Sequence, residues 1–542
     1  MTHPWWRGAI IYQVYPRSFL DSNGDGIGDL TGIRTRLDYI AQLGVDAIWL
    51  SPFYRSPMKD FGYDVADYRA VDPIFGTDRD FDALVKEAHA RGLRIIIDMV
   101  FPHSSDEHPW FQESRASRDN PKADWYVWGD PRPDGTPPSN WLSVFGGPAW
   151  QWDPRREQYY LHHFLRSQPN LNWHNPRVVA AMLGEARFWL DRGVDGFRLD
   201  AITTLVHDPL LRDNPARDPS TPDIEIAGPV MSPYHYQVHV HDRDQPQMLG
   251  ILEQLRALVD EYGAFTMAEI GDVESFAVTA KYTAGTKRLH TGYSFPFTFA
   301  EFRVDLCQRV VRAFEAALGD GWTTYAFSNH DVERSVSRWG AQAELGGDRP
   351  ALAKLLLACL FTMRGNACLY QGEELGLTEA RLPREDLVDP WGIEFWPIFK
   401  GRDGCRTPMP WQADAPSAGF TGGAPWLPIP DEHRSMAASA QEADPTSVLA
   451  ACRQLIRFRK AHPALVTGTI AVRETSAPIW AFERADDSER LLCVFNLSNQ
   501  PATWPLDRGD TWRPLDGHGF PSRLDRQTLH LPPFGAFFGQ QT

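Results

Sequence analysis

Amphipathic segments alternate with short apolar runs along the chain. One arrangement recurs: an amphipathic segment ends at a glycine and an apolar run follows closely, as in Leu37–Leu43, Gly44 and Ala47–Leu50. The segments that end at Gly92 and Gly193 repeat this pattern. Glycine commonly closes a helix because it adopts the left-handed backbone conformation without a steric penalty. Short apolar runs between helices predict buried parallel strands, so the pattern predicts repeated helix–strand units.

The same pattern predicts eight strands. In chain order they are Ala9–Val14, Ala47–Leu50, Arg94–Asp98, Gly196–Asp200, Phe265–Glu269, Thr291–Phe295, Tyr325–Ser328 and Ala367–Tyr370. Acidic and polar residues gather at their carboxyl ends, which form the active face of a (β/α)8 barrel. A doubly wound sheet also places function at strand ends, but eight units favour the closed barrel. We therefore predict an α/β fold with a (β/α)8 TIM barrel.

Two segments do not fit the barrel repeat. The long stretch between the third and fourth predicted strands is rich in Pro, Trp, Asp and Gly, which predicts an inserted subdomain on the active face. Near the end of the chain, runs such as Ile479–Glu483 and Leu491–Asn496 predict a small antiparallel β domain. We assign residues 1–103 and 173–463 to the barrel, 104–172 to the inserted subdomain and 464–542 to a C-terminal β-sandwich.

The composition excludes several classes of protein. With 43% hydrophobic and 23% charged residues, the chain is neither disordered nor fibrous. A formal net charge of -16 would repel nucleic acid phosphates and anionic membranes, so we expect neither as a partner. No apolar run approaches the ~18 residues of a membrane-spanning helix. The start lacks a secretory signal and six Cys are scattered, which favours a cytoplasmic protein with reduced thiols.

The segment Gly196–Asp200 carries the first candidate catalytic residues. Arg198 and Asp200 are two positions apart on a predicted strand, so their side chains point to the same side. A guanidinium beside a carboxylate favours the ionised form that a nucleophilic carboxylate needs. A single Arg-x-Asp sequence on its own would be interpreted as a structural ion pair. Because other predicted strands also end in acidic residues, a catalytic role is favoured.

Three more carboxylates end predicted strands. Glu269 follows small and apolar residues, so burial would raise its pKa as a general acid requires. Asp331 follows His330, which can bind hydroxyl groups, and Asp98 ends the third strand. Any one of these carboxylates on its own would be interpreted as a helix N-cap or a loop residue. On one barrel they converge on one pocket, and glycoside hydrolysis uses two carboxylates that flank the scissile bond.

These segments resemble the signature regions of the α-amylase family, glycoside hydrolase family 13. Tyr12–Phe19, Gln168–Trp173 and Gly401–Met409 are similar to segments of its oligo-1,6-glucosidase and α-glucosidase subgroup. The resemblance extends from about Trp5 through the C-terminal tail, which is nearly the whole chain.

The resemblance implies roles for the three carboxylates. Asp200 matches the nucleophile that forms a β-glycosyl-enzyme, and Glu269 matches the general acid/base. Asp331 matches a third carboxylate that holds the 2- and 3-hydroxyl groups of the sugar. Asp98 is chiefly an architectural carboxylate in this family.

The resemblance also implies a set of substrate-binding residues. Arg198, His103 and His330 match groups of the same sugar subsite, and Phe164 matches an aromatic wall from the insertion. Asp60, Tyr63 and Arg402 match residues that close the far end of the pocket and make such an enzyme exo-acting.

One position departs from the common family pattern, and another narrows the expected linkage preference. Pro102 stands where family members commonly have an asparagine that helps to bind calcium, so we expect no metal at the insertion. Ala201 follows the nucleophile, where valine tends to accompany α-1,6 preference and threonine or alanine α-1,4 preference. We therefore expect α-1,4 preference.

A loop after the first predicted strand has the spacing of a cation site. Oxygen ligands alternate along an EF-hand-like loop through Asp21, Asn23, Asp25, the Ile27 carbonyl and Asp29. The bidentate glutamate of such a loop is absent, and a polar turn held by side-chain hydrogen bonds is the alternative. The subgroup carries a structural divalent ion here, usually calcium.

We interpret the chain as a retaining, exo-acting α-glucosidase with transglucosylation activity. The resemblance implies small α-glucosides such as maltose or sucrose as substrates, sugars or alcohols as acceptors, and no catalytic cofactor. A monomer or small homo-oligomer is expected. A sucrose or maltose isomerase or a dedicated glucosyltransferase is the alternative among enzymes. The non-enzyme alternative, a transporter-associated relative, would carry a transmembrane helix and lack catalytic carboxylates.

Overall fold

Eight parallel strands form the centre of the protein. The computed structural model describes residues 3–218, 233–271, 275–507 and 509–542. The barrel strands, numbered one to eight in chain order, are Ile10–Val14, Ala47–Leu50, Arg94–Met99, Gly196–Leu199, Phe265–Ile270, Thr291–Ser294, Thr324–Ala326 and Asn366–Tyr370. All eight predicted strands are confirmed, and the predicted and observed ends differ by at most two residues.

The strands follow the neighbour order of a barrel. Strand one pairs in parallel with strands two and eight, and the pairing continues on one side to strand six and on the other to strand seven. A parallel bridge between Gly292 and Thr323 joins strand six to the start of strand seven. There the Thr323 hydroxyl donates to the Gly292 carbonyl at 3.1 Å. The predicted (β/α)8 barrel is therefore confirmed as a nearly closed sheet.

Side chains fill the barrel interior. Its buried cluster consists of Ile11, Ala47, Trp49, Ile96, Phe265, Met267, Tyr293, Ala326 and Cys368. A filled barrel leaves room for chemistry only at its ends, and the loops at the carboxyl ends of the strands build the active face.

Helices surround the barrel. They are Leu30–Thr35, Leu37–Leu43, Asp78–Ala90, Pro176–Asp191, Met248–Asp260, Ser275–Thr283, Val304–Leu318, Arg349–Thr362 and Val448–Ala461. Helix Leu37–Leu43 ends at Gly44 with φ 89°, as its glycine predicts. Helix Asp78–Ala90 begins with a capping box between Thr77 and Asp80. Within the described ranges, no helix has the length and apolar character needed to cross a bilayer.

The inserted subdomain follows strand three. It contains the helix Pro109–Ser114 and a three-stranded antiparallel sheet of Trp128–Gly129, Trp150–Asp153 and Gln158–Leu161. The bridge between His103 and Asn170 ties the two ends of the insertion together beside strand three. A short antiparallel pair, Tyr54–Arg55 with Asp67–Val71, lies in the loop after strand two.

Two antiparallel sheets form the C-terminal region. One contains Thr469–Val472, Ile479–Ala485, Arg490–Asn496, Ala536–Gln541 and Trp512–Pro514, and the other Ala502–Pro505, Thr528–Leu531 and Arg523–Asp525. Apolar residues from both sheets share one buried cluster, which includes Val494 and Leu529. The predicted antiparallel β domain is confirmed. The remaining α-helices are Pro296–Phe299, Ser335–Gly340, Pro390–Phe395, Asp431–Ser435, Ala438–Glu442 and Pro463–Thr467.

Two buried arginines connect the C-terminal end of helix Arg349–Thr362 to the rest of the chain. Arg459 donates to the carbonyls of Phe361 at 2.6 Å and Gly365 at 2.7 Å. Arg484, on a strand of the C-terminal sheet, donates to the Thr362 carbonyl at 2.5 Å. The last carbonyls of a helix have no partner within the helix, so these guanidinium groups satisfy them in a buried setting.

Candidate active site

A cavity of about 390 Å³ lies at the carboxyl ends of the barrel strands. Asp200 directly follows strand four, Glu269 belongs to strand five, and Asp331 follows strand seven. His103 enters from the end of strand three and Asp60 from the loop after strand two. The barrel therefore brings together side chains that are far apart in the sequence.

One guanidinium group organises the carboxylates at the base of the cavity. Arg198 Nη1 lies 2.6 Å from Asp200 Oδ1 and 2.9 Å from Asp98 Oδ1. Arg198 Nη2 lies 2.7 Å from Glu269 Oε2 and donates to the Tyr293 hydroxyl at 2.9 Å. The same Glu269 oxygen accepts the backbone N–H of Ala201 at 2.9 Å. Asp200 and Glu269 are therefore held on adjacent nitrogens of one side chain.

Burial sets the protonation of these two carboxyl groups. It raises the pKa of Asp200 to about 7, and Arg198 lowers that pKa without cancelling the effect. It also raises the pKa of Glu269 to about 7, again against the influence of Arg198. Arg198 therefore favours the ionised form of Asp200, as predicted, but burial and the neighbouring carboxylates outweigh it in the free site. The charge of Asp200 also raises the pKa of Glu269.

The surroundings of Asp331 lower its pKa, in contrast to those of Asp200 and Glu269. Although burial raises its pKa, His330, Arg402 and Arg406 together lower the pKa of Asp331 far below its ordinary value. Arg406 Nη2 lies 2.8 Å from Asp331 Oδ1, and Arg402 Nη1 lies 3.3 Å from the same oxygen. His330 Nε2 lies 3.2 Å from Asp331 Oδ2. Asp331 is therefore a permanent anion in the wall of the cavity.

Asp60 and Arg402 form an ion pair in another wall of the cavity. Arg402 Nη2 lies 2.7 Å from Asp60 Oδ1, and each residue is about 5% exposed or less. Asp389 Oδ1 lies 2.7 Å from the same nitrogen, and the Gln168 amide donates to Asp60 Oδ2 at 3.0 Å. Asp60, Asp389 and Asp331 therefore hold the Arg402 guanidinium from three sides.

The other predicted substrate-binding residues lie in or directly behind the cavity wall. The Tyr63 hydroxyl lies 3.0 Å from Asp98 Oδ2 and 2.5 Å from His330 Nε2. His103 contacts the Tyr63 carbonyl through Nε2 at 3.0 Å, and its buried Nδ1 has no hydrogen-bond partner among the residues that the structure describes. The ring of Phe164 lies 5.5 Å from that of His103.

Ala201 has an unusual backbone conformation. Its φ is 38° and its ψ is 39°, which is the left-handed region that residues with a Cβ atom rarely adopt. This turn directs the Ala201 N–H at Glu269 immediately after Asp200. The side chain lines the cavity next to the paired carboxylates.

Sequence reasoning missed several residues of the site. Arg406 and Asp389 fix Asp331 and Arg402 from the long segment after strand eight. Tyr293 links Arg198 and Glu269, and Trp391 stacks on Phe145 with ring centroids 5.2 Å apart. A weak signal existed for Asp389, because an aspartate before a proline often caps a helix, and helix Pro390–Phe395 begins there.

The predicted cation loop lies shortly after strand one. Asp21 Oδ1 accepts the backbone N–H groups of Asn23 at 2.9 Å and Gly24 at 2.7 Å. Asp21 Oδ2 accepts from Gly26 N at 2.8 Å and from the Thr421 hydroxyl. Burial raises the pKa of Asp21, but these hydrogen bonds outweigh it and bring the pKa below its ordinary value. Asp21 is therefore an anion that is held inside the turn.

The remaining predicted ligands complete the same loop. Asn23 Oδ1 accepts from Asp25 N, and Asp25 Oδ1 accepts from Ile27 N, both at 2.9 Å. Asp29 accepts from Ser22 and caps helix Leu30–Thr35. In the part of the chain that the structure describes, no three His, Cys, Asp or Glu side chains are grouped closely enough to hold a metal by themselves. A cation in this loop therefore depends on amide and carbonyl oxygens as well.

Known proteins are similar to this chain in both sequence and architecture. A family model described as the α-amylase catalytic domain matches residues 13–468, and one described as the maltogenic amylase C-terminal domain matches residues 471–538. The chain belongs to the α-amylase family. This α-amylase family member is 54% identical to a probable α-glucosidase of Rhizobium meliloti (strain 1021), over 99% of this chain and 97% of that protein.

Two solved structures extend the comparison to the fold. The α-glucosyl transfer enzyme XgtA superposes with a TM-score of 0.95 at 54% identity, and the match covers 100% of both chains. Trehalulose synthase from Pseudomonas mesoacidophila MX-45 superposes with a TM-score of 0.90 at 34% identity, also over 100% of both chains. The predicted resemblance is confirmed, and this family member is a glycoside hydrolase of the α-glucosidase group.

Proposed function

We propose that the protein is a retaining, exo-acting α-glucosidase that hydrolyses or transfers terminal α-glucosyl units. The observation that carries this proposal is the position of Arg198 between Asp200 and Glu269, at the base of a buried cavity. Retaining glycosidases place their two carboxyl groups only ~5–5.5 Å apart. Adjacent nitrogens of one guanidinium are close enough to hold two carboxylates in that range.

In the first step, an Asp200 oxygen attacks the anomeric carbon of the terminal glucose, and the bond to the leaving oxygen breaks. Glu269 donates its proton to that oxygen, and a β-glucosyl ester on Asp200 results. The singly protonated form of the Asp200–Glu269 pair supplies both the nucleophile and the proton. Burial, which raises both pKa values to about 7, makes this form abundant near neutral pH.

In the second step, the deprotonated Glu269 takes a proton from a water molecule or an alcohol. The oxygen of that molecule attacks the anomeric carbon and releases Asp200. Water yields free α-glucose, whereas a sugar or another alcohol yields a new α-glucoside. Hydrolysis and transfer therefore use the same residues and differ only in the acceptor.

The cavity walls account for recognition of a terminal glucose. Asp331 is an anion held by two arginines, so its oxygens suit hydroxyl donors of the sugar ring. His103 Nδ1, which has no partner within the described part of the chain, offers a further hydrogen-bonding atom. The Asp60–Arg402 pair lies in the cavity wall, where it would block a further glucose unit and so favour removal of single units from the non-reducing end.

A product assay tests this proposal. The protein is incubated with maltose, isomaltose, sucrose and trehalose, and the products are resolved by chromatography and proton NMR. We expect glucose released first as the α-anomer, together with transfer products at high substrate concentration. β-Glucose as the first product contradicts retention. Conversion of sucrose mainly to an isomeric disaccharide favours the second candidate, sucrose isomerisation, which the similarity to trehalulose synthase brings forward.

Ala201 is the basis of a proposal on linkage preference. Its side chain lies in the cavity beside Glu269, next to the path of the leaving group. We expect faster cleavage of maltose-type than isomaltose-type bonds, and Ala201→Val should shift the ratio toward α-1,6 bonds. Steric differences of one methylene change specificity about 10–200-fold. The measurement is the ratio of kcat/KM for maltose and isomaltose in both proteins.

The backbone at Ala201 requires a control for this experiment. The left-handed conformation costs a residue with a Cβ atom about 1–2 kcal/mol, and a β-branched side chain is still less compatible with it, so Ala201→Val should also lower Tm. Ala201→Ser adds a small side chain without branching and serves as the control. Wild-type preference for isomaltose, or an unchanged ratio in the Val variant, would show that Ala201 does not determine linkage.

We also propose that the loop Asp21–Asp29 binds a structural divalent cation, calcium being the best match. Its donors would be the side chains of Asp21, Asn23, Asp25 and Asp29 and the Ile27 carbonyl. All are oxygen ligands, which hard cations prefer. The loop lies outside the cavity lining, so the cation would stabilise the fold without taking part in catalysis.

Removal of the cation should lower the melting temperature. A ligand present at 100 times its Kd stabilises the folded state by about 2.7 kcal/mol, and a chelator should abolish that contribution. Asp25→Asn should reproduce most of the loss, whereas Asp487→Asn, an exposed carboxylate elsewhere, should not. Metal analysis and calorimetry give the readouts. An unchanged Tm together with no bound metal would identify the loop as a polar turn.

A further inference from the structure

His330 is enclosed by aromatic rings and by two hydrogen-bonding neighbours of Nε2. Tyr63 stacks on one face with a centroid distance of 5.3 Å, and Tyr15 stacks on the ring at 5.7 Å. Nε2 lies 2.5 Å from the Tyr63 hydroxyl and 3.2 Å from Asp331 Oδ2. The imidazole is 0% exposed, so its hydrogen bonds are made with protein groups or a bound sugar and not with bulk water.

The neighbours of His330 determine where its proton lies. The Tyr63 hydroxyl is 3.0 Å from Asp98 Oδ2, and an ionised carboxylate only accepts, so Tyr63 donates its proton there. The Tyr63 oxygen must then accept from His330 Nε2. Asp331 Oδ2 faces the same nitrogen and is also an acceptor. A lone pair on Nε2 would meet two acceptors, so Nε2 carries the proton.

The second ring nitrogen must then be an acceptor. Burial lowers the pKa of His330 well below its ordinary value, Asp331 raises it, and Arg406 and Arg198 lower it further. The ring is therefore neutral and has a single proton. Its Nδ1 lies 2.7 Å from the Gln13 amide nitrogen, which is 3.2 Å from the Ser51 hydroxyl oxygen. Both hydrogens of the Gln13 amide thus have acceptors, whereas its buried Oε1 has no hydrogen-bond partner among the described residues.

We infer that Gln13 is a positioning residue that holds His330 as the neutral Nε2–H tautomer. Gln13 lies on strand one, is 0% exposed and does not line the cavity. It acts through His330, whose N–H then points toward Asp331. This inference rests on the proposed function for its effect on turnover, but the tautomer itself is independent of any substrate.

The contacts form one directed series of hydrogen bonds. Gln13 donates to His330, His330 donates to Tyr63, and Tyr63 donates to Asp98. Asp98 in turn accepts from Arg198, which holds Asp200. A residue at position 13 that accepts a hydrogen bond where Gln13 donates one would therefore reverse the direction of these hydrogen bonds next to Asp331.

The test combines nitrogen NMR with kinetics on the full-length protein. In ¹⁵N-histidine-labelled wild type, protonated and unprotonated ring nitrogens give well-separated signals, and the His330→Gln variant assigns those of His330. We expect an unprotonated Nδ1 and a protonated Nε2. In Gln13→Glu, measured at a pH at which the new carboxylate is ionised and only accepts, we expect Nδ1 to become protonated. We also expect a loss of about 100-fold in kcat/KM on maltose, the effect of removing one preorganised donor.

Gln13→Met is the matched control, because it keeps the length of the side chain without donor or charge. Nδ1 then has no donor beside it, so we expect its ¹⁵N signal to move part of the way toward the protonated position, with a smaller loss of kcat/KM, even if both variants lower Tm equally. An Nδ1 that stays fully unprotonated in Gln13→Met would show that Gln13 does not hold the tautomer. A wild-type His330 protonated at Nδ1 overturns the inference directly. So does an unchanged His330 spectrum in Gln13→Glu, or kcat/KM within twofold of wild type. If the wild type cleaves no α-glucoside, the proposed function fails, while the NMR comparison still decides the role of Gln13.

Discussion

Asp200→Asn and Glu269→Gln are each expected to lower kcat on maltose by about 10⁴-fold or more. Asn cannot form the glucosyl ester, and Gln cannot give a proton to the leaving oxygen. Arg198 keeps two of its three carboxylate partners in either variant, so the fold should survive. Steady-state kinetics and circular dichroism melting provide the measurements.

A leaving group that needs no proton separates the two roles. With an α-glucosyl fluoride, Glu269→Gln should retain its first chemical step, whereas Asp200→Asn should not. Glu373→Gln is a matched control, because burial also raises the pKa of Glu373 to about 7 but its side chain lies outside the cavity. Near-normal kcat in Asp200→Asn, or an equal loss in Glu373→Gln, would refute the assignment.

Arg402→Ala and Asp60→Ala should lower kcat/KM on disaccharides by about 100-fold, and less on longer α-glucans. A disaccharide has little other binding energy with which to hold its terminal glucose in place. Both changes also break a buried pair, which costs about 3–5 kcal/mol of stability. The readout is therefore the ratio of kcat/KM for maltose and maltotetraose, since a ratio is independent of the folded fraction.

The conservative variant Asp60→Asn keeps the size of the side chain and should show the same trend more weakly. Product analysis adds a second criterion. If wild type releases maltose or larger units directly from maltotetraose, the Asp60–Arg402 pair does not close the pocket.

The barrel was predictable because its signals are local. An apolar run such as Ala47–Leu50 after a helix-closing glycine specifies a buried strand with little reference to the rest of the chain. Parallel strand ends must meet at one face, so Asp200, Glu269 and Asp331 were expected together before any contact was known. The roles of these residues came from the family resemblance.

The residues that orient the site were not predictable in this way. Arg406 reaches Asp331 from a long irregular segment, and Gln13 reaches His330 across 317 positions of the chain. Periodicity describes neighbours along one element and carries no information about such pairs. Burial also decides the pKa of Asp200 through its surroundings as a whole, which an Arg-x-Asp pattern does not reveal. The left-handed conformation of Ala201 likewise has no sequence signal.

The arginines at the end of helix Arg349–Thr362 limit how this enzyme can be dissected or recombined. Arg484 belongs to the C-terminal sheet but satisfies the Thr362 carbonyl of the barrel layer, together with those of Leu465 and Gly468. Each buried carbonyl left without a donor costs about 1–3 kcal/mol. The C-terminal sheet is therefore not a detachable module, and a chimera that exchanges it must supply a guanidinium at the same place.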